Sequence, residues 1–113
     1  MYTLTTKTEE DDLNKITMFT IHSSSISLSY FDIFVVPLES YRKLSIGENV
    51  ELNFSDMNHF SQIESDGVNV IFVVSIGGEG STSFSISIPY VEIKDCLEEL
   101  YKILSNEFNK DEF

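Results

Sequence analysis

From Val68 to Phe108 the chain spells a strand, a glycine-rich turn, a second strand and a helix, and this run carries most of its apolar mass. In the first strand, V-N-V-I-F-V-V-S-I, residues Val68, Val70, Phe72, Val74 and Ile76 share one face. Ile71 and Val73 make the other face apolar too, so the pattern predicts a central strand covered on both sides. In the second, Phe84, Ile86, Ile88 and Tyr90 alternate with Ser83, Ser85 and Ser87, which predicts apolar side chains inward and serines outward until Pro89 ends the ladder. The spacing then changes. Ile93, Cys96, Leu97, Leu100, Ile103, Leu104 and Phe108 recur as one helical stripe, with Glu92, Asp95, Glu98, Glu99 and Lys102 mostly outside it. Gly77-Gly78-Glu79-Gly80 is read as a hairpin turn. It lacks the following Lys of a phosphate cradle and opens a strand, where a phosphate loop would open a helix.

The rest of the chain supplies elements to pair with this core. Residues 1–8 read as a short edge strand or a frayed terminus. Glu9-Glu10-Asp11-Asp12 reads as a polar interruption, either a loop or a helical turn capped by Thr8. Ile16–His22 is a strand with mixed faces. After Ser23-Ser24 a longer strand is expected from Ser25 to Val36, bending near Tyr30–Asp32 and stopped by Pro37. Leu38, Tyr41 and Leu44 have helical spacing. Gly47 marks a turn, and Glu48–Phe54 alternates with Val50, Leu52 and Phe54 inward. Residues 55–58 form a turn, and His59–Glu64 a strand joined to the next through the Asp66-Gly67 hairpin signal. The expected architecture is α+β: one antiparallel sheet of about five or six strands, with the C-terminal helix packed on one face. Residues 59–90 would form a three-strand meander. At 113 residues the chain is expected to be a single domain, 1–113, with 1–8 and 109–113 as its mobile ends.

Charge is the most unusual property. Nineteen acidic against seven basic residues give a net charge of −12. No Lys or Arg occurs between Lys43 and Lys94, yet Glu48, Glu51, Asp56, Glu64, Asp66, Glu79 and Glu92 lie in that interval. Such a surface is unsuited to phosphate backbones, so no nucleic acid is expected as a partner. It favours steering towards a basic protein. No apolar run reaches the roughly 20 residues of a membrane helix, and residues 1–15 are too polar and acidic for a signal peptide, so neither membrane nor export is expected. The lone Cys96 fits a reducing cytoplasm and, on the helix stripe, reads as a buried, inert thiol.

Catalytic chemistry has little to stand on. His22 and His59 each fall near a strand end, neither in a metal-spaced motif. No serine sits in G-x-S-x-G or S-x-x-K, and the acidic run 9–12 lacks the spaced ligands and glycine of a calcium loop. No enzyme activity, cofactor or metal is expected. The serine rows suggest recognition instead. Ser25, Ser27 and Ser29 on one strand and Ser83, Ser85 and Ser87 on another would form one flat patch if those strands are neighbours.

The cation-free acidic interval from Leu44 to Ile93, with its β-meander and helix, resembles the small acidic immunity proteins with which bacteria neutralise their own secreted or contact-delivered toxins, often nucleases. The resemblance is one of type across the whole chain, and no residue role is carried over. It implies a cytoplasmic inhibitor that binds a basic toxin domain and covers its active site. The acidic contacts expected are Glu48, Glu51, Asp56, Glu64, Asp66 and Glu79, with Tyr30, Tyr41 or Phe60 as aromatic anchors. A secretion chaperone of the type III kind, normally dimeric, and a phage nucleic-acid mimic are the alternatives. A homodimer through an exposed edge strand such as Ile16–His22 is a further option.

Overall fold

In the computed structural model, residues 2–10, 15–32, 36–54, 61–76 and 82–111 are described. They form β1 (Thr3–Glu10), β2 (Lys15–His22), β3 (Ser27–Asp32), α1 (Leu38–Ser45), β4 (Val50–Asn53), β5 (Ser61–Ser65), β6 (Asn69–Ile76), β7 (Thr82–Pro89) and α2 (Tyr90–Asp111). The α+β class and the C-terminal helix are as expected, but the strands divide between two antiparallel sheets. Sheet A has the order β1-β2-β3 and sheet B the order β4-β5-β6-β7. The break between them falls at α1, where Pro37 removes a ladder donor and Leu38, Tyr41 and Leu44 bring helical spacing. Each half is therefore a meander of its own, and the three-strand meander expected over 59–90 gains β4 as a fourth strand.

Several boundaries move. The N-terminal segment is an edge strand in register with β2 from Thr3↔His22 to Glu10↔Lys15, so Thr8 is a strand residue rather than a helix cap. Alternating threonines carry the strand into the acidic run. With β1 in place, β2 is the centre of sheet A, not an exposed edge. The long strand expected to reach Val36 ends at Asp32, and Ile33–Val35 lie outside the described residues. At the other end α2 continues through Asp111, so most of the expected tail is helix.

One core joins both sheets and both helices. Phe19, Ile21, Leu28 and Tyr30 come from sheet A, and Leu52, Ile63, Val70, Phe72 and Ile88 from sheet B. Tyr41 and Leu44 come from α1, and Ile93, Cys96, Leu97, Leu100 and Leu104 from α2. Tyr30 is the stitch between the sheets. Its ring stacks on Phe19 at 5.5 Å and meets Phe54 at 5.0 Å and Phe72 at 6.2 Å. Its hydroxyl donates to the Gln62 and Val73 carbonyls of sheet B at 3.3 and 3.4 Å. Tyr41 is fastened likewise: its hydroxyl donates to Asp32 Oδ2 at 2.5 Å, which ties α1 to the end of β3. Cys96 is buried as expected, its thiol directed at the Tyr2 carbonyl at 3.3 Å.

Three expected burial patterns fail. Val68, expected on the inward face, is 70% exposed and precedes β6. Ile71 and Val73 are half-buried, not buried. The helices meet each other, the ends of sheet B and β1. Phe84 is 48% exposed despite sharing its strand face with buried Ile88, since it stands beyond the covered part of the sheet.

Candidate functional site

The boundary of the cation-free interval is a structural boundary. Lys7 and Lys15 belong to sheet A, Arg42 and Lys43 to α1, and Lys94, Lys102 and Lys110 to α2. Sheet B and the segments that connect its strands carry no Lys or Arg. Among the described residues the ion pairs are Lys7–Glu9, Arg42–Glu39 and Lys94–Glu98, each within one element. None of them reaches sheet B.

The outward face of sheet B is laid out by its register. One row runs Glu51–Glu64–Ile71–Ser87 and the next Asn53–Gln62–Val73–Ser85. Glu51, Glu64, Ser85 and Ser87 are exposed, while Ile71 and Val73 are half-buried between them. The result is a short apolar strip on β6, with a carboxylate pair on one flank and small hydroxyls on the other. An apolar centre with a polar rim is the composition of a protein interface rather than of a small-molecule cleft.

Four of the six expected acidic contacts gather at one end of this face. Glu51 and Glu64 are direct cross-strand partners. Glu48 and Asp66 occupy the turns just beyond, where a Cβ placed on Gly67 would stand 3.8 Å from the Gly47 carbonyl. Both turns need glycine in the left-handed region, with φ of +78° at Gly47 and +93° at Gly67. A Cβ at Gly47 would also stand only 3.0 Å from the Tyr90 ring. These four acids are not equivalent. Asp66 Oδ1 accepts the backbone N–H groups of Asn69 at 2.7 Å and Val68 at 2.8 Å, which hold its carboxyl below the usual carboxylate range. Glu48 lies within the electrostatic reach of Arg42. Glu51 and Glu64 have no ion pair among the described residues, and each faces the other. Asp56, Glu79 and Phe60 lie outside the described residues, as do His59 and the Gly77–Gly80 turn.

The same end is apolar at its surface. Ile46, Val68 and Val91 are 50%, 70% and 80% exposed. They surround Tyr90, whose N–H donates to the Val68 carbonyl at 2.9 Å and whose hydroxyl donates to the Ser45 carbonyl at 2.6 Å. Sequence reasoning missed this cluster because its members come from two turns and the start of α2, and because Val68 reads as the first inward residue of a strand that begins at Asn69.

The aromatic anchors are placed differently. Tyr30 and Tyr41 are each 1% exposed, and their hydroxyls are spent on internal hydrogen bonds. They hold the sheets together and present no surface to a partner in this conformation. The combined serine patch does not form. Ser27 and Ser29 are exposed on β3 of sheet A, where Ser29 bonds Thr20 across the strand pair at 2.9 Å. Ser85 and Ser87 stand on β7 of sheet B. No strand of one sheet pairs with the other, so the two rows are not neighbours.

Among the described residues no group of three His, Cys, Asp or Glu side chains is placed to hold a metal ion. His22 Nε2 hydrogen-bonds Thr5 Oγ1 at 3.1 Å across the β1–β2 pair. Burial, then the neighbouring carboxylates Glu99 and Asp95, push the Cys96 thiol up, which disfavours the reactive thiolate. No described helix is long and apolar enough to cross a membrane. Compared with protein-family models, with curated proteins and with solved structures, the chain matches none.

Proposed function

We propose that this chain is an immunity protein: a cytoplasmic inhibitor that binds a basic bacterial toxin domain, of the nuclease kind, through the acidic end of sheet B. What carries the reading is the Glu51–Glu64 pair. Two exposed carboxylates oppose each other on a sheet without a single Lys or Arg, beside a half-buried apolar strip. Like charges directly opposite weaken a strand pair. A fold that keeps them gains when a cation from a partner comes between them. The remaining charges steer the encounter, and Ile71, Val73 and the Ile46–Val68–Val91 cluster supply the area that water leaves. Tyr30 and Tyr41 act as scaffold.

The test is inhibition. A basic protein recovered with the chain by pull-down from its host is assayed for nuclease activity with increasing amounts of the chain. Stoichiometric loss of activity is expected. Full activity at excess inhibitor, with no complex on gel filtration, overturns the proposal.

A further inference from the structure

We propose that the free edge of β7 is a homodimer contact, at which β7 of a second copy pairs antiparallel and extends sheet B to eight strands. β7 closes sheet B, is paired to β6 along one side from Thr82 to Pro89, and has no strand on its other side among the described residues. The other sheet edges are guarded. β1 carries Lys7, Glu9 and Glu10. β4 is four residues long, carries Glu51 and is packed by α1. β3 is six residues and carries Asp32. β7 spans eight residues, T-S-F-S-I-S-I-P, without an ionisable side chain, and its proline stands only at the last position. Edge strands that must stay single are normally protected by charge, proline or shortness.

The identity of the occupant follows from charge and symmetry. In a chain of net charge −12, two copies repel wherever carboxylates meet, and among the described residues β7 is the one sheet edge without an ionisable group. Two antiparallel strands related by a two-fold axis oppose residues of the same parity, because such an axis stands perpendicular to the sheet. In β7 that parity puts Ser85 and Ser87 on one face and Phe84, Ile86 and Ile88 on the other. A symmetric register therefore brings residues of one face only against residues of the same face. Centred on Ile86, it places Ser85 opposite the second copy's serine at 87, and the 48%-exposed Phe84 opposite an isoleucine. The two Glu64-bearing strands would lie five strand spacings apart, about 24 Å. That exceeds the screening length of about 8 Å at physiological salt, so the acidic ends stay separate and both remain free. This inference is independent of what the acidic end binds.

Sedimentation equilibrium of the purified chain, from low to high micromolar at physiological salt, tests it. The expected mass approaches twice 12.9 kDa. The double variant Ser85→Lys, Ser87→Lys sets lysine against lysine and is expected to weaken the dimer at least tenfold with an unchanged circular dichroism spectrum. A monomer at every concentration overturns the proposal, and so does a dimer that the folded double variant leaves intact. If the double variant fails to fold, amide hydrogen exchange of the unaltered chain decides. Alternate β7 amides are expected to slow as concentration rises, and slowing that leaves β7 untouched overturns the proposal.

Discussion

Glu51 and Glu64 face each other across the β4–β5 pair, both exposed, with no cation paired to either among the described residues. A strand pair of this kind is held together by its backbone bonds and by the burial of Leu52 and Ile63 beneath it, against its own surface charge. Replacing both with Gln is expected to raise the melting temperature by about 1–2 °C at low salt. The gain should shrink as salt is added, because screening already relieves the unaltered protein. Thermal unfolding followed by circular dichroism checks it. A lower melting temperature in the Gln variant would mean the two carboxylates have favourable partners.

A second prediction concerns alkaline stability. Burial raises the phenol of Tyr30 well above its usual value, and burial together with the Asp32 carboxylate does the same for Tyr41. Both groups keep their proton more tightly folded than unfolded. Their contribution is therefore complete below pH about 10, where unfolded tyrosine titrates, and is lost as pH rises above that. The protein should unfold cooperatively in alkali, with Tyr30 and Tyr41 ionising only as it does so. A spectrophotometric titration in which all five tyrosines ionise together near pH 10, with no unfolding, contradicts this.

Thr17 offers a stabilising substitution. It is 1% exposed, and its hydroxyl has no hydrogen-bond partner among the described residues. Thr17→Val keeps the shape and β-branching while removing a buried, unmet polar group, which typically costs about 1–3 kcal/mol. Chemical denaturation is expected to show a gain of about 1 kcal/mol. A loss would reveal a partner for the hydroxyl.

Gly47 should be intolerant. Its φ of +78° costs any residue with a Cβ about 1 kcal/mol, and that Cβ would press on the Tyr90 ring. Gly47→Ala is expected to lose more than 1 kcal/mol, where a typical surface substitution changes about 0.5 kcal/mol or less. The same denaturation curves measure it.

Much of this fold is written in local pattern. The alternation of β6 and β7, the helical stripe from Ile93 to Leu104 and the glycines at 47 and 67 each name their element without help from the rest of the chain. The division into two sheets is not local. It depends on Tyr30 reaching from β3 to the Gln62 and Val73 carbonyls, a relation between residues 32 and 43 positions apart that no periodicity records. The same blindness made Tyr30 and Tyr41 resemble surface anchors, since an aromatic beside a polar stretch reads alike whether its hydroxyl meets water or a buried acceptor. The acidic interval was legible as composition. Its coincidence with sheet B, and the meeting of Glu51 with Glu64, required the β4–β5 register. The Ile46–Val68–Val91 cluster was illegible because two turns and the first residues of α2 build it.

The central claim is that the acidic end of sheet B receives a basic protein. Stopped-flow association with the basic partner recovered by pull-down tests it most directly, measured from low to high salt for the unaltered protein and for Glu51→Lys, Glu64→Lys. The account predicts an association rate that falls at least tenfold as salt rises, and a double variant at least tenfold slower at low salt with little salt dependence left. An association rate that neither salt nor the double substitution changes would contradict it.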